Sequence, residues 1–127
     1  MVDERREFKR FVFTKDEIQI LSDNPILFGK LDDISKGGLS FRYTLIPGIK
    51  MATYSINILP KGKDKYNLYH ITCQIFYDKP SAVEGKSMPG YERRKCGIKY
   101  YWLKEEQDNK LELFLNHYIV KQVNDTF

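Results

Sequence analysis

Residues 32–41 read Asp-Asp-Ile-Ser-Lys-Gly-Gly-Leu-Ser-Phe, a polar turn that runs into an alternating apolar strand. Glycine adopts positive φ without steric cost and lets another group approach the backbone closely. A carboxylate at Asp33 and a hydroxyl at Ser35 beside such a turn can hold a polar ligand at a strand end. The alternative is an ordinary turn in which both side chains bond their own backbone.

Alternating apolar residues on both sides of this turn predict short antiparallel strands. We expect a first strand from residue 11 to 20 with an irregularity inside it, a second over residues 26–34 and a third from Leu39. Three more strands follow, with inward sets Ala52, Tyr54, Ile56 and Ile58, then Tyr69, Ile71, Cys73, Ile75 and Tyr77, then Cys96, Ile98, Tyr100 and Trp102. Six short strands predict a closed barrel, because closure removes exposed sheet edges.

A helix over residues 108–122 is predicted to end the chain. Asp108 or Asn109 is a suitable N-cap, and the apolar residues after it form one helical stripe. The members of that stripe are Leu111, Phe114, Leu115, Tyr118 and Ile119. The expected fold is therefore all-β with one C-terminal helix: a six-stranded antiparallel barrel over residues 10–102, with an amphipathic helix packed at one end.

The composition predicts a single globular domain of 127 residues with a mild net charge of +4. Such a charge favours anionic partners but falls short of a nucleic-acid arm or a polybasic membrane patch. No apolar run could span a bilayer and none follows Met1, so we expect a cytoplasmic protein without membrane insertion. Cys73 and Cys96 are expected to be buried free thiols, with a disulfide left open. His70 and His117 lack metal-ligand spacing, so no metal site is expected.

The first nine residues are polar and highly charged, and we expect a flexible arm over residues 1–9. Arg6 lies in this arm, and Arg10, four positions later, directly follows it. Guanidinium groups suit phosphate oxygens and the O6 and N7 atoms of guanine. The alternative is a solvated terminus in which these cations pair with Glu4 and Glu7.

In order along the chain, the motifs Arg6-x-x-x-Arg10 and Asp33-x-Ser35-x-x-Gly38 resemble those of the PilZ domain, the bacterial receptor for cyclic di-GMP. Residues 96–100, Cys-Gly-Ile-Lys-Tyr, are similar to its later G-(V/I)-x-F strand, with tyrosine in place of the usual phenylalanine. The resemblance extends from about residue 4 to the closing helix.

This resemblance implies a ligand site for cyclic di-GMP. Arg6 and Arg10 would clamp the nucleotide from the arm, and Asp33 would accept hydrogen bonds from a guanine edge. Ser35 would bond a phosphate or base, and Gly38 would leave room for the backbone to lie against the ligand.

Arg5, directly before the first motif, is a further candidate, because a basic residue there tends to accompany binding of two stacked ligand molecules in this family. The resemblance implies no enzyme activity and no cofactor. Binding would change a surface that a downstream protein partner reads.

Two other functions stay open from the sequence. One is a PilZ-like adaptor that acts by protein contact without nucleotide binding. The other is a small barrel for single-stranded nucleic acid that uses the patch Arg93-Arg94-Lys95. An enzyme is disfavoured, because Ser35 has no histidine partner that the sequence places beside it, and Asp32 and Asp33 are expected on opposite strand faces.

Overall fold

The structure, a computed structural model, describes residues 10–12, 18–81 and 91–126, with side chains up to residue 118. Its strands range from 2 residues in the first to 13 in the sixth, and its one long helix comes last. Their bounds are β1 (Phe11–Val12), β2 (Ile18–Ser22), β3 (Phe28–Ile34), β4 (Gly38–Leu45), β5 (Ser55–Pro60), β6 (Leu68–Pro80), β7 (Glu92–Trp102) and α1 (Glu105–Thr126).

Six of these strands close into an antiparallel barrel. Neighbouring strands follow the order β3-β2-β5-β6-β7-β4, and the pairing of β4 with β3 completes the ring. Closure satisfies the hydrogen-bonding groups of both edges, which is the reason short strands favour it. The predicted fold class, a six-stranded barrel with one C-terminal helix, is confirmed.

The first predicted strand is divided in two. β1 pairs with β3 through Phe11–Ile34 and Val12–Asp33, whereas β2 pairs with the same edge of β3 from Gln19 onward. The expected irregularity therefore separates two short strands that lie in succession along β3. This division places β1, with Arg10 directly before it, beside the end of β3 that contains Asp33.

Alternation along the strands fills the barrel with aliphatic and aromatic side chains, and Phe41, Ile56, Ile58 and Ile71 are almost completely buried. Cys73 and Cys96 are buried and free, as predicted. Burial disfavours the thiolate and raises the pKa of Cys73 to about 11 and that of Cys96 to about 12. Both thiols are therefore protonated at neutral pH.

Three aromatic residues were assigned to the wrong face. Tyr54, Tyr69 and Trp102 were predicted to point inward but are 79%, 52% and 59% exposed. His70 has a φ of +54°, which breaks the alternation between the buried Leu68 and Ile71. A register shift in the β6–β7 ladder has the same effect for Trp102, whereas Tyr54 lies just before β5 begins, outside the strand to which it was assigned.

The C-terminal helix begins at Glu105 rather than at residue 108. The side chain of Gln107 accepts a hydrogen bond from the backbone N–H of Lys104 at 3.0 Å, which is half of a capping box. The predicted stripe is confirmed where side chains are described, since Leu111, Phe114, Leu115 and Tyr118 are buried in the barrel's core cluster. Ile119 lies outside the described side chains. No helix of the described residues has the length and apolar character needed to cross a membrane.

A polar network replaces apolar packing where β2, β5 and β6 meet. Thr53 and Asn57, which were predicted to face outward, are buried. The Asn57 amide donates to Asp23 Oδ1 at 3.2 Å, and the Ser55 hydroxyl donates to Asp23 Oδ2 at 2.8 Å. The Thr53 hydroxyl donates to the Asp23 carbonyl. Alternation did not predict the burial of Thr53 and Asn57. The fold tolerates it because these buried polar groups satisfy one another.

Removal of the carboxylate from this network should destabilise the fold in a pH-dependent way. Burial alone would raise the pKa of Asp23, but hydrogen bonds from Ser55 and Asn57, with His70 nearby, lower it below its ordinary 3.8. The ionised form therefore stabilises the fold above pH 3.8, and this contribution is lost as the pH falls through the lower folded-state value. We expect Asp23→Ala to lower the free energy of unfolding by about 1–2 kcal/mol at pH 7.

Urea unfolding at pH 7 and at several values below pH 3.8 tests this expectation. The difference between wild type and Asp23→Ala should shrink in the acidic series. An equal difference at every pH would contradict the assigned role of the ionised carboxylate.

Candidate functional site

A β-bulge in β3 shapes the candidate site. The register of β3 against β4 shifts between Leu31 and Asp33, and Leu31 and Ile34 are both buried in the core. The two residues between them, Asp32 and Asp33, therefore turn away from the core together. The prediction that these carboxylates lie on opposite faces was wrong, because a bulge interrupts the period of two.

Asp33 and Arg10 form an ion pair at the end of β1. Arg10 Nη2 lies 2.8 Å from Asp33 Oδ1, and their side chains are 32% and 19% exposed. Oδ1 is nevertheless buried without a hydrogen bond, as is Arg10 Nε. The contact is therefore close in distance but lacks hydrogen-bond geometry. Arg10 from the first sequence motif and Asp33 from the second are therefore in contact.

Ser35 bonds its own turn. Its hydroxyl accepts a hydrogen bond from the Gly37 N–H at 3.1 Å and donates to the Gly38 carbonyl at 3.3 Å. The backbone N–H of Ser35 also donates to the Gly38 carbonyl, at 2.8 Å. Ser35 therefore behaves as in an ordinary turn, where the side chain bonds its own backbone. The Asp33 side chain instead contacts Arg10.

Gly38 is required by the neighbouring strand. An ideal Cβ at this position would lie 2.2 Å from the carbonyl oxygen of Ile98 on β7. Neither Gly37 nor Gly38 has positive φ, a conformation that among the described glycines belongs to Gly48 and Gly62. Gly38 therefore serves close strand approach rather than an unusual backbone angle.

Tyr100 holds this turn from β7. Its hydroxyl lies 3.0 Å from the Ser35 carbonyl and 3.3 Å from the Gly38 carbonyl, and its N–H donates to the Gly37 carbonyl. Burial raises the pKa of Tyr100 above its ordinary value, so the hydroxyl stays a donor. The sequence placed this ring inward but gave no role to the hydroxyl that distinguishes it from phenylalanine.

A basic cleft on the barrel has one of its cations, Arg42, in contact with the bulge. Its volume is about 310 Å³, and it is lined by residues of β2, β3, β4 and β7 that include Lys30, Arg42, Arg93 and Arg94. Arg42 Nε contacts Asp32 Oδ1 at 2.6 Å, so one carboxylate of the bulge orients a cation of this cleft. Lys30 and Arg42 stand at outward positions of their strands, so the alternation in the sequence contains a signal for this cleft.

Arg94 is held by carboxylates. Its Nε lies 3.0 Å from Asp78 Oδ1, and its Nη1 lies 2.9 Å from Glu92 Oε1. The hydrogen bond to Asp78 is the main reason that the pKa of Arg94 is raised. The buried Tyr43 hydroxyl donates to the same carboxylate at 2.8 Å. Arg94, the central residue of the patch Arg93-Arg94-Lys95 that was considered for nucleic acid, is therefore paired with carboxylates of the protein.

Two of the predicted site residues, Arg5 and Arg6, lie outside the described residues, as does the proposed arm over residues 1–9. The structure therefore brings together Arg10 and Asp33, with Ser35 and Gly38 in the adjoining turn.

The described residues offer no nucleophilic dyad at the polar network. Ser55 donates to Asp23 Oδ2, and His70 Nδ1 lies 3.3 Å from that same oxygen. The serine and the histidine thus share a carboxylate and do not bond each other, unlike a serine nucleophile and its base. Residues 10–12, 18–81 and 91–126 contain no cluster of three metal-ligating side chains.

Solved structures with this fold include two proteins described with c-di-GMP. MrkH from K. pneumonia, in a complex with c-di-GMP, has a TM-score of 0.73 at 10% identity over 98% of this chain. The PilZ domain of YcgR from Escherichia coli, also with c-di-GMP, has a TM-score of 0.67 at 14% identity over 97% of this chain and 99% of its own. This chain spans 57% of the length of MrkH. No protein-family model and no curated protein sequence matches the chain. At these identities the likeness concerns the fold.

Proposed function

Because the chain folds as a PilZ-like domain, we propose that it is a receptor for cyclic di-GMP. The observation that carries this proposal is the contact between Arg10 and Asp33, which joins the two sequence motifs at one place on the barrel. Cyclic di-GMP offers guanine edges and phosphates. This place offers a carboxylate and a guanidinium, and the contact between Asp32 and Arg42 links the bulge to the basic cleft.

In this proposal Asp33 accepts hydrogen bonds from the donors on one guanine edge. Arg10 leaves its ion pair with Asp33 and bonds the ligand, together with Arg6 and, for a second stacked molecule, Arg5. The cations of the cleft attract the phosphates. The arm over residues 1–9 closes over the nucleotide, and a downstream protein partner in the cytoplasm reads the changed surface.

Ser35 and Gly38, which the resemblance assigns to the ligand, have structural partners within the protein. Ser35 and Gly38 set the shape of the turn, and Tyr100 fixes it from β7. We propose that their main contribution is to hold Asp33 at the edge of the bulge, so that its carboxylate is placed before the ligand arrives.

Calorimetric titration of cyclic di-GMP tests the proposal. We expect micromolar or tighter binding to wild type and at least a tenfold weaker affinity for Arg10→Ala, because a hydrogen bond to a charged group contributes roughly 1.5–3 kcal/mol. Lys104→Ala removes the same charge just before α1 and should bind like wild type. A stoichiometry near two would support the role of Arg5.

Absence of binding to a folded wild-type protein would overturn the proposal. The adaptor function would then be favoured, since it needs the PilZ-like fold without the nucleotide.

A further inference from the structure

Ser40 has a buried hydroxyl that nothing in the described chain satisfies. The residue is 0% exposed, and among the residues described its Oγ has no hydrogen-bond partner. Leu39 and Phe41 on either side point into the core, so Ser40 lies on the other face of β4. A buried polar group without a partner is costly and is rare in folded proteins.

Two more buried atoms without a hydrogen bond belong to Asp33, the strand partner of Ser40, and to Arg10, the ion-pair partner of Asp33. Ser40 pairs across the ladder with Asp33, whose Oδ1 lacks a hydrogen bond, and Asp33 contacts Arg10, whose Nε also lacks one. On its other side Ser40 pairs with Gly97, over which the ring of Tyr77 lies. Strand pairing and the ion pair thus place the three residues that carry these atoms in one cluster between β1 and β7.

The chemistry of this cluster complements a guanine edge. Asp33 Oδ1 and Ser40 Oγ are two acceptors on neighbouring strands, and Arg10 Nε–H is a donor. The guanine edge carries two adjacent donors, N1–H and the exocyclic N2 amino group, and one acceptor, O6. None of these three atoms has a hydrogen bond within the described part of the chain.

We propose that Ser40 is an additional ligand contact, whose hydroxyl accepts a hydrogen bond from the exocyclic amino group of the guanine seated on Asp33. This inference rests on the proposed function and adds a contact that neither sequence motif contains. Arg10 is the movable cover, since its side chain is a third exposed and its contact with Asp33 lacks hydrogen-bond geometry. The Tyr77 ring borders the cluster on the side of β7.

The experiment compares two ligands on wild type and Ser40→Ala. Cyclic di-GMP and its inosine analogue, which lacks the N2 amino group, are titrated by calorimetry. We expect Ser40→Ala to bind cyclic di-GMP about five- to tenfold more weakly than wild type does, because one hydrogen bond is lost. The inosine analogue should bind wild type and Ser40→Ala equally. Because the deleted hydroxyl has no partner in the free protein, the melting temperature should stay equal or rise.

Ser22→Ala is the matched control. Ser22 is equally buried, but its hydroxyl donates to the Pro25 carbonyl at 2.6 Å. This variant should melt at a lower temperature and bind cyclic di-GMP like wild type.

The outcomes separate the inference from the function on which it rests. If wild type binds cyclic di-GMP and Ser40→Ala binds it equally well, the inference is overturned and the proposed function stands. An equal loss for both ligands would also overturn it, because the hydroxyl would then not contact the amino group. Absence of binding to wild type would overturn the proposed function itself.

Discussion

Gly38→Ala should destabilise the protein by about 3 kcal/mol or more, the largest stability effect that we expect from one methyl group here. The added Cβ would lie 2.2 Å from the Ile98 carbonyl oxygen, and this oxygen belongs to a backbone in the middle of the β4–β7 ladder. A flexible side chain could rotate away, but a paired strand has to shift as a whole. Thermal unfolding should show a midpoint lowered by roughly 10 °C.

Gly48→Ala is the control for this substitution. Gly48 has a φ of +82° and open space around its ideal Cβ, so the same change adds only backbone strain, about 1–2 kcal/mol. If Gly38→Ala were as stable as wild type and only lost affinity for cyclic di-GMP, the glycine would serve the ligand, as the family resemblance implies, and the structural assignment would be wrong.

Asp33→Ala should cause the largest loss of affinity for cyclic di-GMP. The carboxylate is proposed to accept one or two hydrogen bonds from a guanine edge, and each bond to a charged group contributes roughly 1.5–3 kcal/mol. We expect affinity to fall by about 10- to 100-fold in calorimetric titration. The side chain is partly exposed and its contact with Arg10 lacks hydrogen-bond geometry, so the fold should tolerate the change.

Substitution of the neighbouring carboxylate, Asp32, is the matched control. Asp32→Ala removes the same charge one residue away, where the side chain contacts Arg42 and not Arg10. Loss of a negative charge beside the basic cleft should leave the affinity for the ligand's phosphates unchanged or slightly increased. A loss of affinity in Asp33→Ala without a loss in Asp32→Ala would assign the effect to a specific contact of Asp33. A similar loss in both variants would contradict that assignment.

Most of the barrel could be predicted from alternation alone. Leu39, Phe41 and Tyr43 form a buried row as expected, because a strand without interruptions keeps a period of two. Tyr69 and Trp102 were misassigned because positive φ at His70 and a shifted β6–β7 register change the phase of the pattern. Such irregularities depend on contacts between strands, which no local pattern contains.

The site was predicted in part. The two motifs indicated that Arg10 and Asp33 would share a ligand, and the structure places them in contact. The motifs did not reveal that Ile98 excludes a side chain at Gly38, or that the Tyr100 hydroxyl holds the turn. These facts concern strands distant in sequence.

Ser40 illustrates the same limit. In the sequence it is a small polar residue at an outward strand position, which predicts solvent exposure. In the structure it is buried without a hydrogen bond next to Asp33. A sequence pattern indicates which face a residue occupies, but the neighbours on adjacent strands decide whether its polar atom is satisfied.

The most direct test of the central claim is a titration of the 15N-labelled wild-type protein with cyclic di-GMP, followed by amide chemical shifts. We predict saturable changes that cluster at Arg10, Asp33 and Ser40 and are small at Ser55, in the polar network around Asp23. Changes centred on that network, or none at ligand concentrations well above micromolar, would contradict the account.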